Sequence, residues 1–294
     1  MIIFIMKFFA LLENGKRVEY AEDKGKVYRL KNRSIDLLIF GPIPEDFHDE
    51  VAIDVKSIIS GKETEHKLEL PILPPEIWGT GISYYVSRNR YSEDDVAKIR
   101  DKTIYEKVYE SDRPEIFFKG TPSRCSPPLG NVAIRSDSEW TLPEPELAVC
   151  IDSKGRILGY TVFDDVSARD IESENPLYLP ESKIYDGCAS FGPVIVTVDE
   201  ISDPYLLNIN MKIIRDGKVF FEGNTNSKNI RTKIDKQIMY LMRDNSIPDG
   251  TILTTGTSII PNRDQGLKHG DRVEISIEGI GTLSTGVIKK NVHE

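Results

Sequence analysis

The chain has 294 residues, 39% of them hydrophobic, enough to bury a large core as one big domain or a domain and a half. A formal net charge of −9 and a pI near 5.2 speak against nucleic acid or an anionic membrane as the main partner, and no basic cluster with interleaved aromatics is present. Cys125, Cys150 and Cys188 are widely spaced, and His48, His66, His269 and His293 are scattered, which excludes a disulfide framework, a zinc ribbon and a His-rich transition-metal site. Any metal would be held by oxygen, which favours a hard cation. Glutamine occurs only at Gln237 and Gln265 beside abundant Lys, Glu and Ile, a composition that leans toward a thermophile.

The opening MIIFIMKFF is broken by Lys7, is too short to span a bilayer, and lacks the basic start and small-residue cleavage site of a signal peptide. It predicts a first strand and a cytoplasmic protein. Residues 2–70 continue as short strands and turns, including the NGK turn at Asn14–Lys16, RVEYAED, VYRL and SIDLLIFG, with a helix suggested in DEVAIDVKSIIS. Pro71, Pro74 and Pro75 mark a boundary, since closely spaced prolines continue neither a sheet nor a helix. We therefore expect a small N-terminal α/β domain over 1–75 and a larger domain over 76–294. Ser92–Glu110 has helical spacing with mixed charge, as do residues 230–245. Between and after them the chain is mostly strand: EIFFKG, NVAI, ELAVCID, ILGYTVFDD, PVIVTV, NINMKIIRDGKVFFEG, TILTTGTSII and RVEISIEGIGTLSTGVI. Their alternation and Gly or Asp-Gly turns predict antiparallel hairpins and an α+β, β-rich fold.

Familiar nucleotide and hydrolase signatures are missing. Gly79 and Gly81 open a GxG, but Tyr84 stands at the third glycine position, and there is neither a Walker loop nor a GxSxG elbow. Cys188 has no histidine near it in sequence and reads as a buried structural thiol. The chemistry gathers instead in PEPELAVCIDSKGRILGYTVFDDVSARD, Pro143 to Asp170. Glu144 and Glu146 share one face of a strand, with Cα atoms roughly 6.5–7 Å apart. A turn at Asp152–Gly155 would fold the chain back so that Glu144 lies opposite residues 163–165, bringing Asp164 or Asp165 beside the two glutamates. Three clustered carboxylates need a cation, and Mg²⁺ suits them, with Mn²⁺ or Ca²⁺ as competitors. On spacing alone, the alternative stands that the glutamates form the polar face of an edge strand while the aspartates cap the next element.

Further residues narrow the reading. ExELAV, a glycine turn, GYTVxxDVSARD and then KIYDGCASFGP (Lys183–Pro193) together resemble the fumarylacetoacetate hydrolase superfamily. PEIFFKG (Pro114–Gly120), EGNTNS (Glu222–Ser227), TTGTS (Thr254–Ser258) and LKHGDRVEISIEGIGTL (Leu267–Leu283) extend the resemblance over roughly residues 76–290. It implies a mixed β-roll with a divalent metal in its mouth, held by Glu144, Glu146 and Asp165, and substrates that are 2-oxo acids. Family hydrolases carry GxNYxxHA, whose histidine activates water. Here GISYYVSRNRY (Gly81–Tyr91) places Ser87 at that position, followed by Arg88 and Arg90. Serine alone cannot accept a proton at neutral pH, and the arginines suit a hydroxylated or carboxylated substrate.

The resemblance thus implies a magnesium-dependent dehydratase of a 2-keto-3-deoxy sugar acid acting through an enolate. The alternatives on the same scaffold are a C–C hydrolase of the acylpyruvase type or an oxaloacetate decarboxylase, and in another class a non-catalytic 2-oxo-acid or metal-binding protein. Lys183 is expected near the 2-oxo group as base or enolate-steadying cation, with Asp186 orienting it, and Glu115 as acid/base for the departing hydroxyl. Thr257, Ser87, Arg88 and Lys119 are expected substrate contacts, and Arg169–Asp170 an ion pair behind the metal. A homo-oligomer, dimer or tetramer, is expected from the family.

Overall fold

The computed structural model describes residues 6–42, 46–63, 65–85, 98–99 and 102–291. One long mixed sheet runs in the order 47–51, 26–30, 16–23, 6–13, 189–197, 157–165, 145–151, 251–254, 77–81, 115–120. Its N-terminal hairpins turn at Asn14–Gly15 and Lys24–Gly25, all four residues at positive φ, the geometry that matches strand twist. Lys7 and Phe8 pair with Val196 and Ile195, so the expected boundary at residue 75 divides stretches of sequence that share one sheet. Most neighbours are antiparallel, but Thr251–Thr254 runs parallel to Ile77–Gly81.

A second sheet, in the order 131–134, 281–289, 272–277, 208–215, 218–226, packs on the first. Leu147, Val149, Val162 and Val196 from the long sheet and Ile209, Met211, Val273 and Ile275 from the second belong to one buried cluster. Asn208–Arg215 and Arg272–Ile277 bury alternate residues, as strands with one wet face do. Pro145–Ile151, Ile157–Asp165 and Ala189–Thr197 are instead buried almost throughout, because Ile35, Leu38 and Ile39 help cover their other face. That double cover explains the near-continuous apolar runs ELAVCI and PVIVTV.

Four local expectations change. SIDLLIF forms a helix, Ser34–Phe40, since its apolar residues at spacings of three and four all meet the sheet. Of the helix expected over Ser92–Glu110, the described residues are helical only at Ile104–Glu110, after a short pairing of Lys98–Ile99 with Lys102–Thr103. The helix expected over 230–245 is shortened to Ile234–Leu241, because Ile230 bridges Tyr84 and the amides of Arg231 and Thr232 donate to the Ser83 carbonyl. The 49–60 stretch divides into the strand Phe47–Val51 and the helix Val55–Ile59, which Asp54 caps by accepting from Lys56 N.

Candidate active site

The hairpin of Pro145–Ile151 and Ile157–Asp165 carries the acidic group. Asp152 stabilises its turn by accepting from the amides of Lys154 and Arg156 at 2.9 and 2.8 Å, and Gly155 takes φ +78°. The pairing begins at Ile151↔Ile157 and slips at a bulge after Cys150, so that Cys150 faces Gly159 and Glu146 faces Phe163. Asp165 N donates to the Glu144 carbonyl at 3.0 Å. This register puts Asp165 on the face of Glu144 and Glu146 and turns Asp164 to the other. Carboxylate oxygens of Glu144, Glu146 and Asp165 lie within 4.8 Å of one another, and all three side chains are buried.

Asp164 is fully buried on the packed face, where its Oδ1 accepts from Glu144 N at 3.1 Å. Burial, with Asp165 adding to it, pushes its carboxyl up to about 8. One of the two adjacent aspartates therefore braces the backbone of the other's partner strand.

Two lysines converge on the acidic face. Lys183 Nζ donates to Glu144 Oε2 at 2.6 Å, Asp165 Oδ2 at 2.9 Å and Ser167 Oγ at 2.6 Å. Lys119 Nζ lies 2.5 Å from Asp165 Oδ1 and also donates to the Val166 carbonyl. Burial alone would discharge Lys183, but Asp165, Glu144 and Glu172 outweigh it and hold its pKa well above the usual lysine value. Burial likewise opposes ionisation of Asp165, yet Lys119 and Lys183 keep it below the ordinary aspartate range. Glu144 and Glu146 are raised by burial and by Asp165, Glu146 strongly.

A cleft opens over this group. Its walls include Glu115 and Phe117 from the strand Glu115–Gly120, Glu172 from the helix Arg169–Glu174, and Leu179 and Lys183 from the helix Leu179–Lys183. Strand alternation points Glu115, Phe117 and Lys119 to one side. Glu115 lies over Gly81, where a Cβ would stand 2.0 Å from its Oε2, so a side chain at that position would displace the carboxyl. Burial, Glu172 and Glu144 push Glu115 up to about 7, against the pull of Lys183 and Arg169. Gly256 and Thr257 also line the cleft; Gly256 N donates to Glu146 Oε2 at 2.5 Å, and Gly256 takes φ +84° to fit against Ser83 and Thr80.

Among the described residues around the cleft, five carboxyl groups (Glu115, Glu144, Glu146, Asp165, Glu172) face three cations (Lys119, Arg169, Lys183). Fully ionised, that set carries two uncompensated negative charges, which one divalent cation would balance. The donors that could hold it are all carboxylate oxygens, the set a hard cation such as Mg²⁺ prefers.

The sequence-predicted residues distribute unevenly. The structure brings Glu144, Glu146, Asp165, Lys183, Lys119, Glu115 and Thr257 to one place. It does not bring Asp186 there: this residue is exposed and lines a surface groove with Arg135 and Lys290. Three residues apart suggests a shared helix face, but the helix stops at Lys183 and Ile184 turns to φ −121°, so Asp186 leaves in another direction. Nor does Arg169 turn to Asp170. Arg169 bonds Glu172 at 2.7 Å, while Asp170 accepts from Ser138 Oγ and the amides of Glu139 and Trp140. Ser87 and Arg88, with Arg90, lie outside the described residues. Sequence reasoning missed Ser167, which links Lys183 to Glu144, and Glu172. For Glu172 the only signal was its position three residues after Arg169 on a short helix.

A model of the fumarylacetoacetate hydrolase C-terminal family matches residues 86–288. The chain is 57% identical over 290 residues to 2-dehydro-3-deoxy-D-arabinonate dehydratase from Saccharolobus solfataricus, covering 97% of both proteins. It is 38% identical over 291 residues to a probable 2-keto-3-deoxyxylonate dehydratase from Haloferax volcanii, covering 96% of this chain and 99% of that one. Among solved structures, 2-keto-3-deoxy-D-arabinonate dehydratase complexed with magnesium and 2,5-dioxopentanoate superposes with a TM-score of 0.89 at 54% identity, covering 97% of this chain and all of that one.

Proposed function

Because the chain belongs to the fumarylacetoacetate hydrolase family, we propose that it is a magnesium-dependent hydro-lyase converting 2-keto-3-deoxy-D-arabinonate to 2,5-dioxopentanoate and water. The observation that carries this reading is the 57% identity, over nearly the whole of both chains, with the Saccharolobus solfataricus dehydratase. The oxygen-only, buried donor set agrees with it.

Glu144, Glu146 and Asp165 would hold the ion, which when bound supplies a Lewis acid at the 2-oxo oxygen and so acidifies the C3 protons. Lys183, kept charged by its carboxylate neighbours, steadies the oxygen charge that develops as C3 loses a proton. Glu115, with a pKa of about 7, is balanced to take the C3 proton and return it to the C4 hydroxyl, which departs as water. Elimination leaves a C3=C4 enone with a C5 hydroxymethyl group. The hydroxyl proton and one C5 proton then relocate to C3 and C4, giving the 5-aldehyde with loss of one water in total. Thr257 meets the substrate carboxylate, Lys119 fixes Asp165, and Ser87 and Arg88 contact the substrate.

A cytoplasmic location and a homo-oligomer of two or four chains go with this reading. Exposed Val219 and Phe220 on the edge strand Lys218–Asn226 support assembly, which light scattering measures. The reaction itself is tested by mass spectrometry on racemic 2-keto-3-deoxypentonate with Mg²⁺ or with EDTA, beside an acylpyruvate and oxaloacetate. Metal-dependent loss of one water from the sugar acid alone is expected. Cleavage of the acylpyruvate or oxaloacetate instead would overturn it.

A further inference from the structure

An ammonium group has three protons to donate, and Lys183 commits all three within the fold. Its Nζ reaches Glu144 Oε2 and Ser167 Oγ at 2.6 Å and Asp165 Oδ2 at 2.9 Å. Two of these acceptors belong to the carboxylates suited to a metal, and the third, the serine hydroxyl, does not. Ser167 is fully buried, and its backbone is fixed where Ser167–Ala168 pairs with Thr141–Leu142. Its single proton serves Glu144 Oε2 at 3.1 Å or the Asp165 carbonyl at 3.0 Å, so an oxygen lone pair is left to face Lys183. The lysine itself stands at the end of the short helix Leu179–Lys183, and its four-carbon stem lets the ammonium shift between acceptors.

A substrate oxygen can take a proton from Lys183 only if one of these three bonds is released. The bonds to Glu144 and Asp165 are the ones that weaken when those carboxylates hold an ion, because the ion draws on the same oxygens and repels the ammonium. The Ser167 hydroxyl is a neutral acceptor outside that competition. We infer that Ser167 is a positioning residue for Lys183: its hydroxyl is the pivot that keeps the ammonium in the cleft, clear of the metal's oxygens and able to turn a proton toward the substrate. This rests on the metal-dependent dehydratase reading and gives Ser167 a part in it.

The test is a double-mutant cycle on Mg²⁺ affinity, read by calorimetry on the full chain, with the rate on 2-keto-3-deoxypentonate measured beside it. Without the pivot the ammonium leans on Glu144 and Asp165, so Ser167→Ala should weaken Mg²⁺ binding about three- to tenfold. In the Lys183→Ala background the same substitution should change Mg²⁺ affinity by less than about twofold. At saturating Mg²⁺ the kcat of Ser167→Ala should fall about tenfold, the size of one hydrogen bond to a charged group, with KM within about threefold. Ser167→Thr, which keeps a hydroxyl, should restore both quantities better than Ser167→Cys, whose thiol fills the space but accepts weakly. If Ser167→Ala does not fold, Ser167→Cys takes its place in the cycle with the same expectations. Unchanged Mg²⁺ affinity in the single variant, or a loss that persists without Lys183, overturns the inference and leaves the dehydratase reading intact. The second of these results would assign Ser167 to Glu144 alone. A wild type that binds no Mg²⁺ overturns the metal-dependent reading, and this inference with it.

Discussion

The two faces of the 157–165 strand treat neighbouring aspartates in opposite ways. On the packed face Asp164 makes no ion pair among the described residues, and burial outweighs the pull of Lys119 and raises its carboxyl to about 8. On the cleft face Asp165 is equally buried but meets Lys119 and Lys183, which hold it ionised. Identical side chains one residue apart thus become a neutral brace and a charged group facing the cleft. The difference lies in which cations the fold delivers and not in the depth of burial.

The largest effects should come from the cleft face. Asp165→Asn should lower Mg²⁺ affinity and turnover by more than about a hundredfold, since even partners that merely orient a ligand are worth 10–100-fold. Titrating activity against free Mg²⁺ checks this, and a variant with ordinary affinity would remove Asp165 from the metal site. Lys183→Ala should abolish dehydration yet leave Mg²⁺ affinity equal or higher, because the ammonium occupies Glu144 Oε2 and Asp165 Oδ2. Calorimetry paired with the activity assay separates these outcomes.

Glu115→Gln should cost roughly 10²–10⁴-fold in kcat, the range for a positioned proton-transfer group. Because Glu115 must begin ionised to take the C3 proton, the wild-type rate at saturating Mg²⁺ should rise with pH through about 7. Loss of that limb in the variant is the matching readout, and a limb that persists would assign the proton transfer elsewhere.

The packed face should respond through stability. Asp164→Ala, which strips the acceptor from Glu144 N, should cost about 1–3 kcal/mol, and Asp164→Asn less because an amide oxygen still accepts. The folded carboxyl, raised above its unfolded value, binds a proton that the unfolded chain has already lost near neutral pH. Stability of the wild type, measured without metal, should therefore fall as pH rises from the ordinary aspartate value of about 3.8 toward about 8. Asp164→Asn should flatten that slope. The smallest effect belongs to Asp186→Ala, expected to leave kcat/KM within about twofold because the side chain is exposed and faces another groove.

Much of this site was legible because strands obey a simple parity. ExE had to place Glu144 and Glu146 on one face, and the Asp-Ser-Lys-Gly turn had to return a partner strand near residues 163–165. Parity could not choose between Asp164 and Asp165, because the bulge after Cys150 shifts the register by one and leaves no mark in the sequence. Family resemblance supplied that choice. Asp186 was misplaced for a related reason: sequence spacing assumes the helix continues, whereas this one ends at Lys183. Glu172 stayed hidden because its significance depends on where a six-residue helix meets the cleft, which only tertiary packing determines. In the fold, strands with one wet face were recognisable from alternation, while the helix at Ser34–Phe40 owes its form to the sheet it covers.

The central claim is that the charged face of this hairpin holds the ion on which dehydration depends. It is tested most directly by measuring Mg²⁺ binding by calorimetry, and 2-keto-3-deoxypentonate dehydration in the same preparation, for the wild type and for Glu146→Gln. The account predicts one ion per chain and metal-dependent water loss in the wild type, with both lost together in the variant. Full turnover by Glu146→Gln, or by metal-stripped wild type in EDTA, would contradict it.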